Sequence, residues 1–531
     1  MKKLIKFEQK SDFYFNKGLE CAEKGDWLKA LSLFFDALEK DGDDVEMLFH
    51  IAHAYEQMGL FEFSNGILFE ILCEEPYNAD AGLLVSKNFA MLGDTFRELY
   101  YMGKYSSAEN IFEGMEQWAE NNFIPSLEQI HPMTQRDREF SKRRAGQLMD
   151  RGLIKEARTL LAEVLEYFPD DADAKNNLSK AHIFDEEFDN AVKLAESALA
   201  DDPDDIFALS NLSVALFMSG KKDEAEAIAD RLAATETDNL EDAKRLAKFF
   251  CFLGRHADTA YRCRKCLEQT PYDVDYLIFL GIAYYNTRQF GRSKDIFLTL
   301  LKLRVSPVVV KYYLDLIEEG AGGELSYDFD LPDKLKENYF KKLKVMDYAK
   351  EKDDFSNDLI GWGLRCGGEG LASHILDRLM EADGKSFACN FERMLVSELS
   401  PKVKTLALFR LFRNSKRRML SITKDDYFSE VVWPNRLPPE NVRNGFLLAC
   451  AAVNCCMMDA ADITLKMYAA ARELSERLAA QDFLTGDGRD NLLAAVIVRN
   501  AAKELCDDKT LCGLFDVDYN VLSFFTENFY N

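Results

Sequence analysis

The sequence is short of positive charge. Its 531 residues hold 66 Lys and Arg against 91 Asp and Glu, a formal net charge of −25. That sign excludes a protein that coats nucleic acid or an anionic membrane with its whole surface, and leaves room for a local basic site. Long apolar runs are also missing. No stretch reaches the roughly 18–20 apolar residues that cross a bilayer, and the longest, Phe446 to Met458, is interrupted by Asn454. The start, MKKLIKFEQK, is basic but lacks an apolar core of about 7–15 residues, so no signal peptide is expected. The expected compartment is the cytoplasm, where the 12 cysteines read as reduced thiols. Histidine is scarce, with 6 residues, and neither G-x-S-x-G nor H-E-x-x-H occurs. What is present is 47% hydrophobic and 30% charged, the composition of an ordinary soluble protein. Disorder of the whole chain is excluded, because enough apolar surface is available to offset ordering entropy.

The organising signal is a period of 34 residues. Counting Ser11 as position 1, Tyr14, Gly18, Gly25, Trp27, Ala30, Phe34 and Ala37 fall at positions 4, 8, 15, 17, 20, 24 and 27. A copy from Val45 places Leu48, Ala52, Tyr55, Gly59 and Phe61 at 4, 8, 11, 15 and 17, with Pro76 at 32. A third start at Ala79 gives Val85, Ser86, Phe89 and Gly93 before the register dissolves. The pattern returns at Arg138 with Ala145, Leu148, Gly152, Ala157, Leu161 and Pro169, and continues without gaps at Ala172, Ile206, Leu240 and Val274. Each copy reads as a helical hairpin. Small residues at 8, 20 and 27 let two helices approach, larger ones at 4, 11, 17 and 24 fill the space, and a glycine near 15 turns the chain. One hairpin cannot bury its apolar face, so the copies must stack.

This pattern resembles the tetratricopeptide repeat (TPR) family over about residues 11–305. The resemblance implies an all-α, right-handed superhelical solenoid, with first helices lining a concave groove that binds a protein or peptide. The expected parts are an N-terminal repeat block at 1–94, an irregular helical connector at 95–137, a second block with a capping helix at 138–319, a Gly- and acid-rich linker at 320–333 and a helical domain at 334–531. That last domain resembles in general the helical regions that follow bacterial TPR arrays. Within it, Arg418 to Ile422 and Tyr427 to Trp433 read as one short β-hairpin around Asp425-Asp426.

Catalytic and cofactor motifs fail on inspection. Gly384-Lys385-Ser386 ends like a phosphate loop, but Leu379 stands where that motif needs glycine. The glycine cluster at 361–370 has Cys366 where a dinucleotide fingerprint needs its third glycine. Cys263 and Cys266 occupy core positions 24 and 27, and Cys455-Cys456 lies in an apolar helix, so all four read as core thiols. No cofactor and no metal are expected.

In the family, positions 2, 5, 6, 9, 12 and 13 of each first helix face the groove. At these positions, four successive copies carry Lys142 and Arg143; Asn176, Asn177 and Lys180; Ser210 and Asn211; and Lys244, Arg245 and Lys248. Asn amides pair with a peptide backbone without reading its side chains, and Lys and Arg hold carboxylates. The set suits an extended acidic peptide or a free C-terminus. It matches the carboxylate-clamp repeats of chaperone co-factors only in part: Lys142 and Asn177 agree, while Gly146, Phe207 and Asn211 stand where other clamp residues belong. The first block differs, with Phe15, Leu19, Phe49, His50 and His53 making a largely apolar groove that suits a partner helix.

The expected function is non-catalytic: an adaptor or scaffold that binds protein, without membrane or nucleic-acid partners. The alternative is an enzyme or nucleic-acid-binding module in the C-terminal domain, with the array as its targeting part. Residues 399–424 bear on it, with eight basic residues and no acid. Docking of this segment on the chain's own acidic repeats is the simpler expectation. The sequence does not specify oligomeric state.

Overall fold

The computed structural model describes residues 11–41, 44–106, 135–150, 152–320, 322–351, 353–383, 387–414, 420–424, 426–434, 436–456, 460–478, 489–502 and 508–529. Its elements are helices and one two-stranded sheet. The fold is all-α with a short hairpin. It divides into two compact units: unit 1 is Met1–Ala108, Ser306–Val308 and Leu331–Asn531, and unit 2 is Glu109–Val305 and Val309–Asp330.

Unit 1 begins with three helix pairs: α1 (Ser11–Glu23) with α2 (Trp27–Asp41), α3 (Val45–Gln57) with α4 (Phe61–Glu74), and α5 (Ala79–Met91) with α6 (Thr95–Tyr105). Unit 2 holds five: α7 (Gln135–Asp150) with α8 (Ile154–Tyr167), α9 (Ala172–Phe184) with α10 (Phe188–Leu199), α11 (Ile206–Met218) with α12 (Lys222–Ala234), α13 (Leu240–Phe252) with α14 (His256–Gln269), and α15 (Val274–Asn286) with α16 (Phe290–Lys302). Except in α7, which begins three residues early, first helices run from position 1 to 13, and every second helix starts at 17. The 34-residue frame read from the sequence is thus the helix frame.

Local chemistry sets these boundaries. In five copies the residue before position 1 is Asp or Asn whose side chain accepts N–H groups of the first turn: Asp44 from Glu46, Asn78 from Ala81, Asp171 from Ala174, Asp205 from Phe207 and Ala208, Asn239 from Glu241 and Asp242. Each such cap stabilises its helix by about 1 kcal/mol. Position 15 is left-handed in every copy. Gly25, Gly59 and Gly152 have φ of 75°, 76° and 74°, and Glu186 and Arg288 take φ of 59° and 61° where glycine is absent. The N–H of position 16 then reaches the carbonyl of position 11, as Asp26 does to Cys21 at 3.0 Å and Leu60 to Tyr55 at 2.9 Å. This closes the first helix in a Schellman-type cap.

Positions 8 and 20 touch. Ser179 donates to the Ala191 carbonyl and Ser213 to that of Ala225, both at 2.9 Å, so a hydroxyl satisfies itself at the closest approach. In the third pair the sizes invert. Position 27 is Tyr105 instead of a small residue, and position 4 is Gly82, where a Cβ would fall 2.1 Å from the Tyr105 ring. Residues 95–105, expected to open an irregular connector, therefore form a regular second helix. The exchange of large and small hid it from a pattern read by size. Residues 107–134 lie outside the described residues.

The array in unit 2 ends with α17 (Pro307–Glu319), which belongs to that unit from Val309. The rest of unit 1 is helical: α18 (Asp333–Val345), α19 (Asp354–Cys366), α20 (Gly368–Asp383), α21 (Phe387–Val396), α22 (Pro401–Asn414), α23 (Glu440–Cys456), α24 (Ala460–Leu478), α25 (Arg489–Ala501), α26 (Asp508–Phe515) and α27 (Tyr519–Phe529). The apolar run read at Phe446 is α23, buried almost throughout and packed on α22, α24 and α25. Gly445 permits that approach, since a Cβ there would meet Leu493 Cβ at 2.5 Å. Between α22 and α23 lie β1 (Ser421–Lys424) and β2 (Tyr427–Glu430), antiparallel with Lys424 opposite Tyr427. Asp426 turns them at φ 60°.

Candidate peptide-binding surfaces

The groove residues of unit 2 fall into two groups. Some are drawn into the array. Lys142 is buried, 3.2 Å from both Asp171 and Asp173 and 3.1 Å from Glu139. Asn176 donates to Asp205 at 2.7 Å, and Asn211 to the Asn176 carbonyl at 2.9 Å. Ser210 is buried and bonds its own helix at Ile206. Lys244 lies 3.4 Å from Asp273. Position 5 thus reaches the aspartate that precedes the next first helix wherever it is Lys or Asn, which ties cation or amide to that carboxylate. Arg138 adds a second partner to Asp171. Burial pushes the Asp171 carboxyl up, but the Ala174 N–H, Arg138 and Lys142 outweigh it and hold it below its ordinary value.

The second group stays at the surface. Arg143 is exposed, and Asn177 and Lys180 are half-buried. Asn177 donates to the Asp173 carbonyl, and the Lys180 ammonium lies over Phe184. Lys248 is exposed and 3.6 Å from Asp275. Arg245 stacks 4.3 Å from the Phe207 ring centre and pairs with Asp242. These groups project from the first helices α7, α9 and α13 and can still meet a ligand.

In unit 1, His50 lies between Phe15 and Phe34 with ring centres 5.2 and 5.3 Å away, and burial lowers its pKa. His53 is exposed, edge-on to Trp27 and 2.9 Å from Glu56. Phe15, Leu19 and Phe49 are half-buried, and Phe49 packs on the core formed by α3 to α6.

Two features escaped the sequence reading. The first is β2. Phe428 is buried against Phe69 and Tyr101, and its backbone is held from both sides. Its N–H donates to the Tyr101 hydroxyl at 2.7 Å, and its carbonyl accepts from Tyr100 at 2.9 Å and Lys104 at 2.7 Å. The hairpin therefore seals the third helix pair of the same unit, and these side chains satisfy an otherwise open strand edge. The second is the stretch read as a linker. Leu325, Tyr327 and Phe329 turn inward within unit 2, while Ser326, Asp328 and Asp330 face out. Asn286 and His256 hold this segment. Its period-two alternation was the signal available in the sequence.

The basic stretch at 399–424 is partly consumed inside unit 1. Lys402 pairs with Glu369 and Arg410 with Asp377 at 2.8 Å, both acids on α20, and buried Lys404 donates to the Thr423 carbonyl at 2.7 Å. These partners are in the C-terminal region, so the expected docking on the repeats is corrected for these three. Lys416, Arg417, Arg418 and Gly384-Lys385-Ser386 lie outside the described residues. Cys263 and Cys266 are fully buried, and burial pushes the Cys266 thiol up to about 11 and that of Cys455 to about 12. Among the described residues no group of His, Cys, Asp and Glu could hold a metal ion, and no helix is long and apolar enough to cross a membrane.

Comparison with known proteins agrees with this architecture. Two tetratricopeptide repeat models match residues 144–206 and 185–248. A TPR repeat-containing protein of Bacillus subtilis (strain 168), YvcD, is 28% identical over 204 residues, which cover 37% of this chain and 41% of that relative. The chain thus spans less than half the length of the curated relative it matches. The helix pairs that carry the 34-residue frame are tetratricopeptide repeats. Such repeats are protein-interaction modules. Among solved structures, a tetratricopeptide repeat protein from Parabacteroides merdae aligns at TM-score 0.26 and 14% identity, covering 51% of this chain and 97% of that one. A human IFIT1 dimer with m7Gppp-AAAA aligns at TM-score 0.30 and 14% identity, covering 86% and 95%.

Proposed function

We propose that the protein is a non-catalytic, cytoplasmic adaptor or scaffold that binds an extended acidic segment, or a free C-terminus, of another protein along the first helices of unit 2. The observation that carries this reading is the surface set Arg143, Asn177, Lys180 and Lys248, cations and an amide on the first helices of three copies, α7, α9 and α13, in a chain whose net charge is −25. Charge-assisted bonds from such groups favour a carboxylate ligand. Lys142, Asn176, Asn211 and Lys244 support it indirectly, by fixing the spacing of the copies. In this reading 138–319 is the binding block, against whose last copies residues 325–329 lie. The three helix pairs from Ser11 to Tyr105 form a second block whose apolar face (Phe15, Leu19, Phe49, His50 and His53) suits a partner helix, and residues 334–531 form a helical domain.

The test is an affinity pull-down from source cells with wild type beside Arg143→Glu, Lys180→Glu, Lys248→Glu. These positions avoid the buried Lys142 and Asn211, whose loss would disturb the array itself. The expected result is a partner held by wild type and lost by the variant at unchanged helicity. A partner kept by both would remove this face as the functional surface.

A further inference from the structure

The last copies of unit 2 hold a built peptide site with the chain's own residues in it. Asn286, at position 13 of the last copy, is the clamp. Its Nδ2 donates to the Leu325 carbonyl at 2.9 Å, and its Oδ1 accepts the Leu325 N–H at 2.8 Å. Both backbone groups of one residue are thereby paired without any contact to its side chain, so the clamp accepts any extended residue. His256, at the start of α14, reads what flanks it. Its Nδ1 lies 2.9 Å from the Tyr327 hydroxyl and its Nε2 3.7 Å from Glu324. The Tyr327 ring meets Phe279 of α15 edge-on at 6.1 Å, and Phe329 stacks on Phe297 and tilts against Tyr313.

The occupant is held imperfectly. Phe329 takes φ 50°, a left-handed conformation that costs a bulky residue energy and concentrates at clamps and switches. Glycines 320 and 323, with φ 63° and 153°, precede the segment and can swing it out. Leu325, Tyr327 and Phe329 are only half-buried.

We propose that this groove is a binding site for a partner's extended segment of the form acid-Leu-x-Tyr-acid-Phe, and that residues 324–329 fill it in the partner's absence. The inference rests on the reading of the array as a peptide-binding surface and names a ligand class for its last copies. A segment tethered in cis competes at an effective concentration on the order of millimolar. A free ligand must displace it, without bearing the strain at Phe329.

The test uses the full chain and a fluorescein-labelled peptide of residues 320–331. In a chain emptied by Leu325→Ser, Tyr327→Ser and Phe329→Ser, the peptide should bind at least tenfold more tightly than to wild type, by fluorescence anisotropy. Asn286→Ala in the emptied chain should weaken binding about fivefold. An emptied chain of wild-type helicity that binds no better than wild type overturns the proposal. Hydrogen exchange in the unmodified protein tests it without the triple change. Leu325 should exchange by local opening, at least a hundredfold faster than the slowest amides of α15. Exchange only with unfolding of α15 would make the segment fixed core and would equally overturn it. Either failure leaves the wider reading to its own test at Arg143, Lys180 and Lys248, which share no residue with this site.

Discussion

Two stretches of the chain lie against its own repeats, one in each unit, and they are held by opposite means. In unit 1, the hairpin puts Phe428 into the core, 1% exposed, and closes its backbone with Tyr100, Tyr101 and Lys104. Buried Asn454 of α23 then takes both backbone groups of Val432, at 2.7 and 3.1 Å. In unit 2, Asn286 makes the same two-way bond to Leu325, but the aromatic anchors remain half-buried and one is strained. The same amide device thus serves a sealed joint in one place and a loosely seated segment in the other. Burial distinguishes them. An asparagine that clamps a backbone at the surface competes with water, and one that does so in the core cannot be replaced by it.

The contrast breaks most visibly at the aromatic anchors. Phe428→Ala should cost unit 1 about 3–5 kcal/mol, the range for emptying a full phenylalanine site. Phe329→Ala should cost unit 2 less than about 1.5 kcal/mol, since the residue is already half-exposed and less apolar area is lost. Denaturant unfolding followed by hydrogen exchange in each unit measures both. Equal losses would abolish the distinction between joint and segment. The next largest difference lies in the amides. Asn454→Ala should cost about 2 kcal/mol because the amide it removes is buried, whereas Asn286→Ala should cost about 1 kcal/mol because that amide is half-buried and water replaces it.

The repeats were legible because their signal is local and periodic. Position 15 must turn, positions 8 and 20 must be small, and each copy repeats the demand. The third pair failed only where Gly82 and Tyr105 exchange roles, a compensation between residues 23 apart that no single position reveals. The groove residues were legible as positions and not as partners. Lys142 and Asn176 were read as pointing outward to a ligand, yet each finds a capping aspartate 29 residues on, a distance set by stacking of one copy on the next. The docked segments were the least legible. Phe428 and Tyr101 meet across more than 300 residues, and a short strand carries no mark of what it will pack against. Asn454 showed in the sequence only as a break in an apolar run. Its reason is the Val432 backbone.

Acid separates the two units in a smaller and graded way. In unit 2 the Asp171 carboxyl is held below its ordinary value of 3.8. Its contribution is complete above that value and is lost as pH falls through the folded value, because the unfolded chain then binds the proton more readily. Asp171→Asn should flatten the loss of unit 2 stability below about pH 4, at the cost of the ties to Arg138 and Lys142 at neutral pH.

The smallest effect is expected at His50 in unit 1, and it falls at milder acidity. Burial between Phe15 and Phe34 lowers its pKa from 6.5; Glu46 opposes the shift and His53 adds to it. The neutral ring is therefore favoured in the folded state. The unfolded chain takes up the proton first, so the contribution is present above about pH 6.5 and fades as pH drops through the folded value. His50→Leu keeps an apolar ring-sized filling and removes the titration. The variant should show a flatter dependence of unit 1 stability on pH between about 6.5 and 5, with unit 2 unchanged over the same range. Hydrogen exchange resolved by helix reads both units in one sample. An unaltered pH slope in α1 to α3 would mean that His50 is solvated, and that the aromatic pocket of the first repeat is open to water where the geometry has it closed.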